Sequence, residues 1–257
     1  MPDSAQLRDQ LLSSEAVRYT ERRLPELAAE GRAAEPVRLV RNMLSSQPLC
    51  FSLFGHFDAH RAVAAGVLDA VLPWSVEEIE DIVVEHAPIA AAERLGGQSG
   101  PDHSAFDAML LLRGVNGRLM IGVETKYTEP FSRRRYEKAS YTEITDRTDA
   151  WFLPGAAAVA AAPATNQLWR NLMLAQESSR DAKRHGAVVV LTVAKDRGAR
   201  TAVAGMRGLL KDPDARLCHV LLEDVIAVAT AEPSLADWAA RFSRRYLDLS
   251  LAAPPTA

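Results

Sequence analysis

The sequence predicts an α/β (α+β) fold in which helices flank a mixed central β-sheet. Three observations predict it: helical periodicity from Ser14 to about Phe57, an Asn-Gly hairpin between residues 105 and 127, and two Val-rich apolar runs further along. The resulting order, helices, strand, hairpin, helix, strand, strand, helix, belongs to layered sheet-and-helix folds.

In the first part, Leu24, Leu27, Val37, Val40, Met43 and Leu44 recur at three- and four-residue spacings, and Gly31 and Pro36 divide the stretch into two helices. Residues Ile79 to His86 are rich in β-branched side chains and read as a first strand, followed by a Gly-rich link from Gly96 to Gly100. Two apolar runs, Ala105 to Arg113 and Arg118 to Tyr127, flank Val115-Asn116-Gly117. Asn-Gly between apolar runs signals a type I′ hairpin, whose two central residues need positive φ. Thr128 to Asp149 is polar and basic, and the Ala/Pro stretch after it reads as irregular or weakly helical. Asn166 to Ser179 predicts a helix capped by Asn166, with Leu168, Leu172 and Ala175 on one side. Ala187 to Ala194 and Cys218 to Val228 are continuous apolar runs of the kind found in buried central strands.

At 257 residues the chain is long enough for one domain with helical additions. Within it we expect a helical N-terminal part over 1–57, a core sheet and helices over 79–228, and a C-terminal helix and tail over 229–257, with an Ala/Pro tail from Ala252. Hydrophobic residues make up 48% and charged residues 25%, which are globular values that argue against a disordered chain. No secretory signal is visible, and the Ala-rich stretch from Gly155 to Ala164 is too short to span a bilayer, so a cytoplasmic protein is expected. Two distant cysteines, Cys50 and Cys218, suggest neither a disulfide framework nor a Cys-rich zinc site. The net charge of −3 argues against a protein that coats nucleic acid indiscriminately, and leaves room for an enzyme with a local basic rim.

The hairpin carries the candidate chemistry. With Asn116 and Gly117 as central turn residues, Val115 faces Arg118, Asp107 faces Lys126 and Glu124 faces Met109. Asp107, Glu124 and Lys126 then share one face with Met109, Leu111, Met120 and Gly122, while Phe106, Ala108, Leu110, Leu119, Ile121 and Val123 share the other. Two carboxylates and an ammonium on a mostly apolar surface carry a large desolvation cost unless they pair or hold a cation. Asp107, Glu124 and the Thr125 carbonyl are hard oxygen donors suited to Mg²⁺ or Mn²⁺, and Lys126 would orient a water or stabilise charge in metal-assisted phosphodiester hydrolysis. The competing reading is a buried Asp107–Lys126 ion pair with Glu124 as a bystander. With five lysines and 33 acidic residues, an acidic-x-Lys triplet arises by chance about once, and Asp181-Ala182-Lys183 is such a one, lying at a helix end with no partner strand.

Asp107, then Glu124-Thr125-Lys126 on the second strand of a hairpin, resembles the PD-(D/E)xK nuclease superfamily with its restriction-endonuclease-like fold. The contexts Ser104-Ala105-Phe106-Asp107-Ala108 and Ser45-Ser46-Gln47-Pro48-Leu49-Cys50-Phe51 are similar to bacterial restriction endonucleases of that superfamily, over roughly residues 35 to 225. The resemblance implies that Asp107 and Glu124 bind Mg²⁺ and that Lys126 is catalytic. It also points to Gln47 or Glu35 at the first-helix acidic position, and to Gln167 as a glutamine beside the site. Two departures stand out: Pro101-Asp102 lies five residues before the expected Pro-Asp, and Phe106 occupies the proline position.

The activity this implies is a Mg²⁺-dependent DNA endonuclease, with RNA and a homodimeric assembly left open. The alternative is a catalytically silent relative that binds nucleic acid or protein. Arg133, Arg134, Arg135, Lys138 and Arg170 are candidate phosphate contacts, although a basic run is usually a solvated face. Trp151 and Trp169 could stack on bases, but Trp169 lies at core spacing beside Leu168 and Leu172. His56 and His60, four apart around Asp58, lack a third ligand and read as ordinary histidines. No nucleophile elbow, phosphate-binding Gly-Lys-Ser/Thr loop or dinucleotide fingerprint is present, which excludes the simplest hydrolase and kinase readings.

Overall fold

A computed structural model describes residues 4–30, 36–42 and 44–248. Gly31, Glu35, Met43 and the Ala/Pro tail from Ala252 lie outside the described residues. Five strands form one mixed sheet in the order β1-β2-β3-β4-β5: β1 (Glu78–His86), β2 (Phe106–Gly114), β3 (Gly117–Lys126), β4 (His185–Thr192) and β5 (Leu217–Leu221). The pairs β1/β2 and β2/β3 are antiparallel, whereas β3/β4 and β4/β5 are parallel.

Helices cover both faces, which is why β4 reads as an unbroken apolar run. Ala108, Leu110, Leu112, Leu119, Ile121, Val123, Val189 and Leu191 face one layer. That layer holds α1 (Ser4–Gln10), α2 (Ser14–Ala29), α3 (Pro36–Arg41), α4 (Ser46–Ala59) and α5 (Arg61–Val71). The apolar face of α4 runs nearly all round, from Leu49 through Phe57, so it is buried against the sheet instead of lying on the surface. Met109, Met120, Val188 and Val190 face the other layer, which contains α6 (Ile89–Gly96), α7 (Ala139–Asp146), α8 (Ala156–Ala160), α9 (Asn166–Ala182) and α10 (Arg197–Arg207). A single turn, α11 (Pro213–Arg216), precedes β5, and α12 (Leu222–Ala231) and α13 (Ala236–Phe242) return to the α4 side.

Several expectations need correction. The N-terminal periodicity resolves into α2, α3 and α4 because Ser45 starts a new helix, its hydroxyl accepting from the Gln47 N–H at 3.3 Å. The run from Cys218 to Val228 is not one strand: β5 ends at Leu221 and α12 takes the rest, and β5 lies at the sheet edge. An apolar run of that length cannot be divided by periodicity alone. The Gly-rich link is shorter than expected because α6 runs up to Gly96, and α7 occupies part of the polar stretch. Thr165, not Asn166, stands at the α9 cap position, and the Asn166 side chain serves the loop at Tyr136 instead.

The hairpin turn also differs. Gly114 pairs with Gly117, so Val115 and Asn116 are the central residues, and the positive φ (115°) falls on Gly117. This is not the type I′ turn that Asn-Gly suggests. The register moves by two residues: Met109 faces Gly122 and Ala108 faces Val123, where the ladder ends, so the expected pairing of Asp107 with Lys126 does not form. A shift of two preserves which face each residue occupies. Phe106 is the exception to the predicted faces, packing in the α9 layer over Gly122, where a Cβ would overlap its ring.

Candidate active site

The candidate residues meet where β2 and β3 part. The ladder pairs run only to Ala108 and Val123, and beyond them the Asp107 carboxylate itself accepts the Thr125 N–H at 2.7 Å. Glu124 and Lys126 are buried at the carboxyl end of β3. In open sheets with parallel strands, ligands bind at this end.

Glu124 is gripped from three sides. Lys126 Nζ lies 2.6 Å from Oε1, Gln167 Nε2 donates to the same oxygen at 2.7 Å, and Asn171 Nδ2 donates to Oε2 at 2.6 Å. Lys126 also sits 4.9 Å from the centre of the Phe131 ring and 3.5 Å from Gln167 Oε1. The ion pair of Lys126 is therefore with Glu124, which corrects the competing reading of an Asp107–Lys126 pair. Burial alone would lower the Lys126 pKa, but Glu124 and Asp107 outweigh it and raise it, so the side chain is an ammonium at neutral pH.

Asp107 is in the opposite condition. Burial first, then Glu124 and Glu85, push its carboxyl well above the usual range, against Lys126 and the Thr125 N–H. Nearby Cys50, on α4, is pushed up by burial and by the same carboxylates, and its Sγ lies 3.2 Å from Thr125 Oγ1.

Glu85 and Asn171 are the residues that sequence reasoning missed. Glu85 sits at the end of β1 beside Asp107, with φ of 56°, a left-handed conformation that a non-glycine residue adopts at a cost. Nothing in the sequence signals it. Asn171 was detectable in principle, since it stands four residues after Gln167 and so shares its helix face.

Gln47 lies in the first turn of α4 and donates to Glu85 Oε1 at 3.0 Å, while its own Oε1 is buried without a hydrogen-bond partner. That orphaned oxygen and the carboxylates beside it are all hard donors, a set that fits a divalent cation. Among the described residues, no group of three or more His, Cys, Asp or Glu is close enough to hold a metal by itself.

Other candidates are placed as follows. Asp102 is buried and accepts from Ser104 N (2.8 Å), the Ser104 and Tyr141 hydroxyls and Arg170 (3.1 Å), with Lys138 Nζ at 3.5 Å. Burial would raise its pKa, but the Ser104, Tyr141 and Arg170 contacts hold it well below the usual aspartate range. Arg133 and Arg134 are exposed, and Arg135 turns away to pair with Glu137. Trp151 and Trp169 are both buried core residues, so neither offers a face for stacking. His56 is packed against Trp238, bonded to Ser13 at 3.1 Å, and lowered to about 4 by burial and His60. Asp181 pairs with Arg94 at 2.6 Å, far from the hairpin's open end, as expected of a chance triplet.

A five-stranded mixed sheet with helices on both faces, and an acid, then acid-x-Lys, on adjacent strands at its open end, defines a nuclease-type scaffold. A family model described as the PD-(D/E)XK nuclease superfamily matches residues 1–248, and the chain belongs to that superfamily. No curated protein matches the chain, and no solved structure matches it either. Among the described residues no helix is long and apolar enough to cross a membrane.

Proposed function

We propose that the chain is a divalent-cation-dependent nuclease that hydrolyses phosphodiester bonds, with DNA as substrate, at Asp107, Glu124 and Lys126. One observation carries the reading: Glu124 and Lys126 form a buried ion pair facing α9, beside an aspartate whose like-charged neighbours leave it short of positive charge. Asp107, Glu124 and the Thr125 carbonyl would hold Mg²⁺ or Mn²⁺, with Gln47 Oε1 as a further oxygen donor. A cation held there would supply charge neutralisation at the phosphate and a lowered pKa for the attacking water.

The protein's own groups do the rest. Gln167 and Asn171 fix the Glu124 carboxylate in one orientation. Lys126, kept cationic by Glu124 and braced over Phe131, donates to the water or to the phosphoryl oxygens as their charge grows.

The test is incubation of plasmid, linear duplex, single-stranded DNA and RNA with the wild type and with Asp107→Ala, in Mg²⁺ or Mn²⁺. Cation-dependent cleavage of DNA that disappears in the variant is expected. Cleavage by the variant at the wild-type rate, or no cleavage and no cation binding by the wild type, would overturn the reading in favour of another site or a silent binding module.

A further inference from the structure

Between β3 and α7 the chain runs as an irregular basic strap across the start of α9. Two anchors hold it there. Ser132 N donates to Gln167 Oε1 at 2.9 Å, and Tyr136 exchanges two backbone bonds with the Asn166 side chain, at 3.1 and 3.0 Å. Beneath the strap lies a cavity of about 600 Å³, with residues 99–105 forming its far wall.

The cavity is electropositive by construction. Arg134, Lys138 and Arg170 line it together with one carboxylate, Asp102, which is paired with Arg170 and Lys138, so three positive charges stand against one negative. The first turns of α9, a 17-residue helix, also point their positive end at this region. Such a site suits phosphate. Its volume is that of a ligand pocket, however, and well beyond what one phosphate fills. Tyr136, 38% exposed and stacked on Arg170 at 4.4 Å, supplies an aromatic surface at the rim.

Gln167 and Asn171 form a shared wall, since both line the cavity and both grip Glu124. Whatever fills the cavity therefore lies next to the bond being cut. A base inside a duplex is stacked and paired, and cannot enter such a pocket without leaving the helix.

We propose that this cavity receives one unpaired nucleotide of the substrate strand, its phosphate among Arg134, Lys138 and Arg170 and its base against Tyr136. The inference rests on the nuclease reading and deepens it: the substrate is DNA with single-stranded character beside the cleaved bond.

The test measures binding in EDTA, where no cation-dependent cleavage occurs. A fluorescent 12-nucleotide single strand and a blunt duplex of the same sequence are titrated by anisotropy against the full chain. The expected result is single-strand binding at least about tenfold tighter than duplex binding. Arg134→Ala should weaken single-strand binding about five- to tenfold and flatten its salt dependence by about 0.7 in log–log slope, leaving the duplex unchanged. Tyr136→Leu should weaken the single strand by about tenfold. Arg133→Ala, exposed but outside the cavity lining, is the control and should change nothing.

Equal affinity for the two forms would overturn the assignment, and so would equal losses from Arg133→Ala and Arg134→Ala. Because binding is read without cation or cleavage, a nuclease reading that fails at Asp107→Ala does not alter these outcomes. A cation-dependent nuclease with no single-strand preference would sink the cavity alone.

Discussion

Asp102 and Asp107 stand five residues apart, both beside buried basic groups, and their situations are opposite. Asp102 accepts from a backbone N–H, two hydroxyls and a guanidinium, with an ammonium close by, and its pKa is pushed down. Asp107 accepts one backbone N–H, faces Glu124 and Glu85, and its pKa is pushed up. Asp102, with its charge met on every side by donors away from the hairpin's open end, is a structural fixture. A carboxylate surrounded by its own charge is stabilised by binding a cation. For these two aspartates, proximity to a basic group does not separate the roles, and the balance of donors against like charge does.

The contrast is broken most decisively by cleavage. Asp107→Ala and Lys126→Ala should each lower single-turnover cleavage by about 10²–10³-fold or more, judged from the loss of one charge-stabilising group. Asp102→Asn, which removes no group from around Asp107 or Glu124, should retain far more activity. An equal loss at Asp102 would erase the distinction drawn between the two residues.

Stability should reverse the order. Asp102→Asn removes the charged partner of half-buried Arg170 and should cost about 1–3 kcal/mol in urea denaturation at pH 7. Because the folded pKa of Asp102 lies below its ordinary value of 3.8, that contribution is present above pH 3.8 and lost as the pH falls further. The gap between wild type and Asp102→Asn should therefore close in acid. Asp107, with its folded pKa raised, destabilises the cation-free protein once the pH exceeds the ordinary value. Asp107→Asn should accordingly raise the urea midpoint of the cation-free protein at pH 7. Adding Mn²⁺ should raise the melting temperature of the wild type and of Asp102→Asn, and leave that of Asp107→Asn unchanged.

Gly122→Ala asks what holds Asp107 in place, given how few hydrogen bonds it makes. The edge of the Phe106 ring would overlap a Cβ at position 122, so the added methyl displaces the residue just before Asp107. We expect a loss of about 1–3 kcal/mol and weaker Mn²⁺ binding, both partly restored by Phe106→Leu in the same chain. If Mn²⁺ affinity is untouched, packing is not what places Asp107.

The sequence carried this region unevenly. Glu124 and Lys126 were legible as a pair because residues two apart on a strand share a face, whereas Asp107 lies beyond the last ladder pair, Ala108–Val123, and meets the Thr125 N–H instead. The turn type was not legible, since Asn-Gly is a preference, and here the positive φ moved onto Gly117. The helix after β5 was hidden inside an apolar run that both strand and helix accept. Glu85 was invisible for a deeper reason: its place beside Asp107 follows from strand pairing and a left-handed backbone, neither of which leaves a local mark. The saturation of Asp102 depends on Ser104 in its own loop and on Tyr141 and Arg170, brought in from α7 and α9.

Glu85 offers the smallest and most discriminating change. As a third carboxylate near Asp107 it belongs with the cation-seeking group, yet its hydrogen bond from Gln47 gives it one trait of the saturated kind. Glu85→Asn separates the two roles, because asparagine tolerates the left-handed φ of 56° while removing the charge. If Glu85 acts through its charge, calorimetry should show Mn²⁺ affinity falling about three- to tenfold, with stability within about 0.5 kcal/mol of the wild type. A loss of several degrees in melting temperature with Mn²⁺ affinity intact would instead place Glu85 with Asp102, as part of the framework. The strained backbone at this position would then serve folding contacts between β1 and α4, and the cation would rest on Asp107 and Glu124 without it.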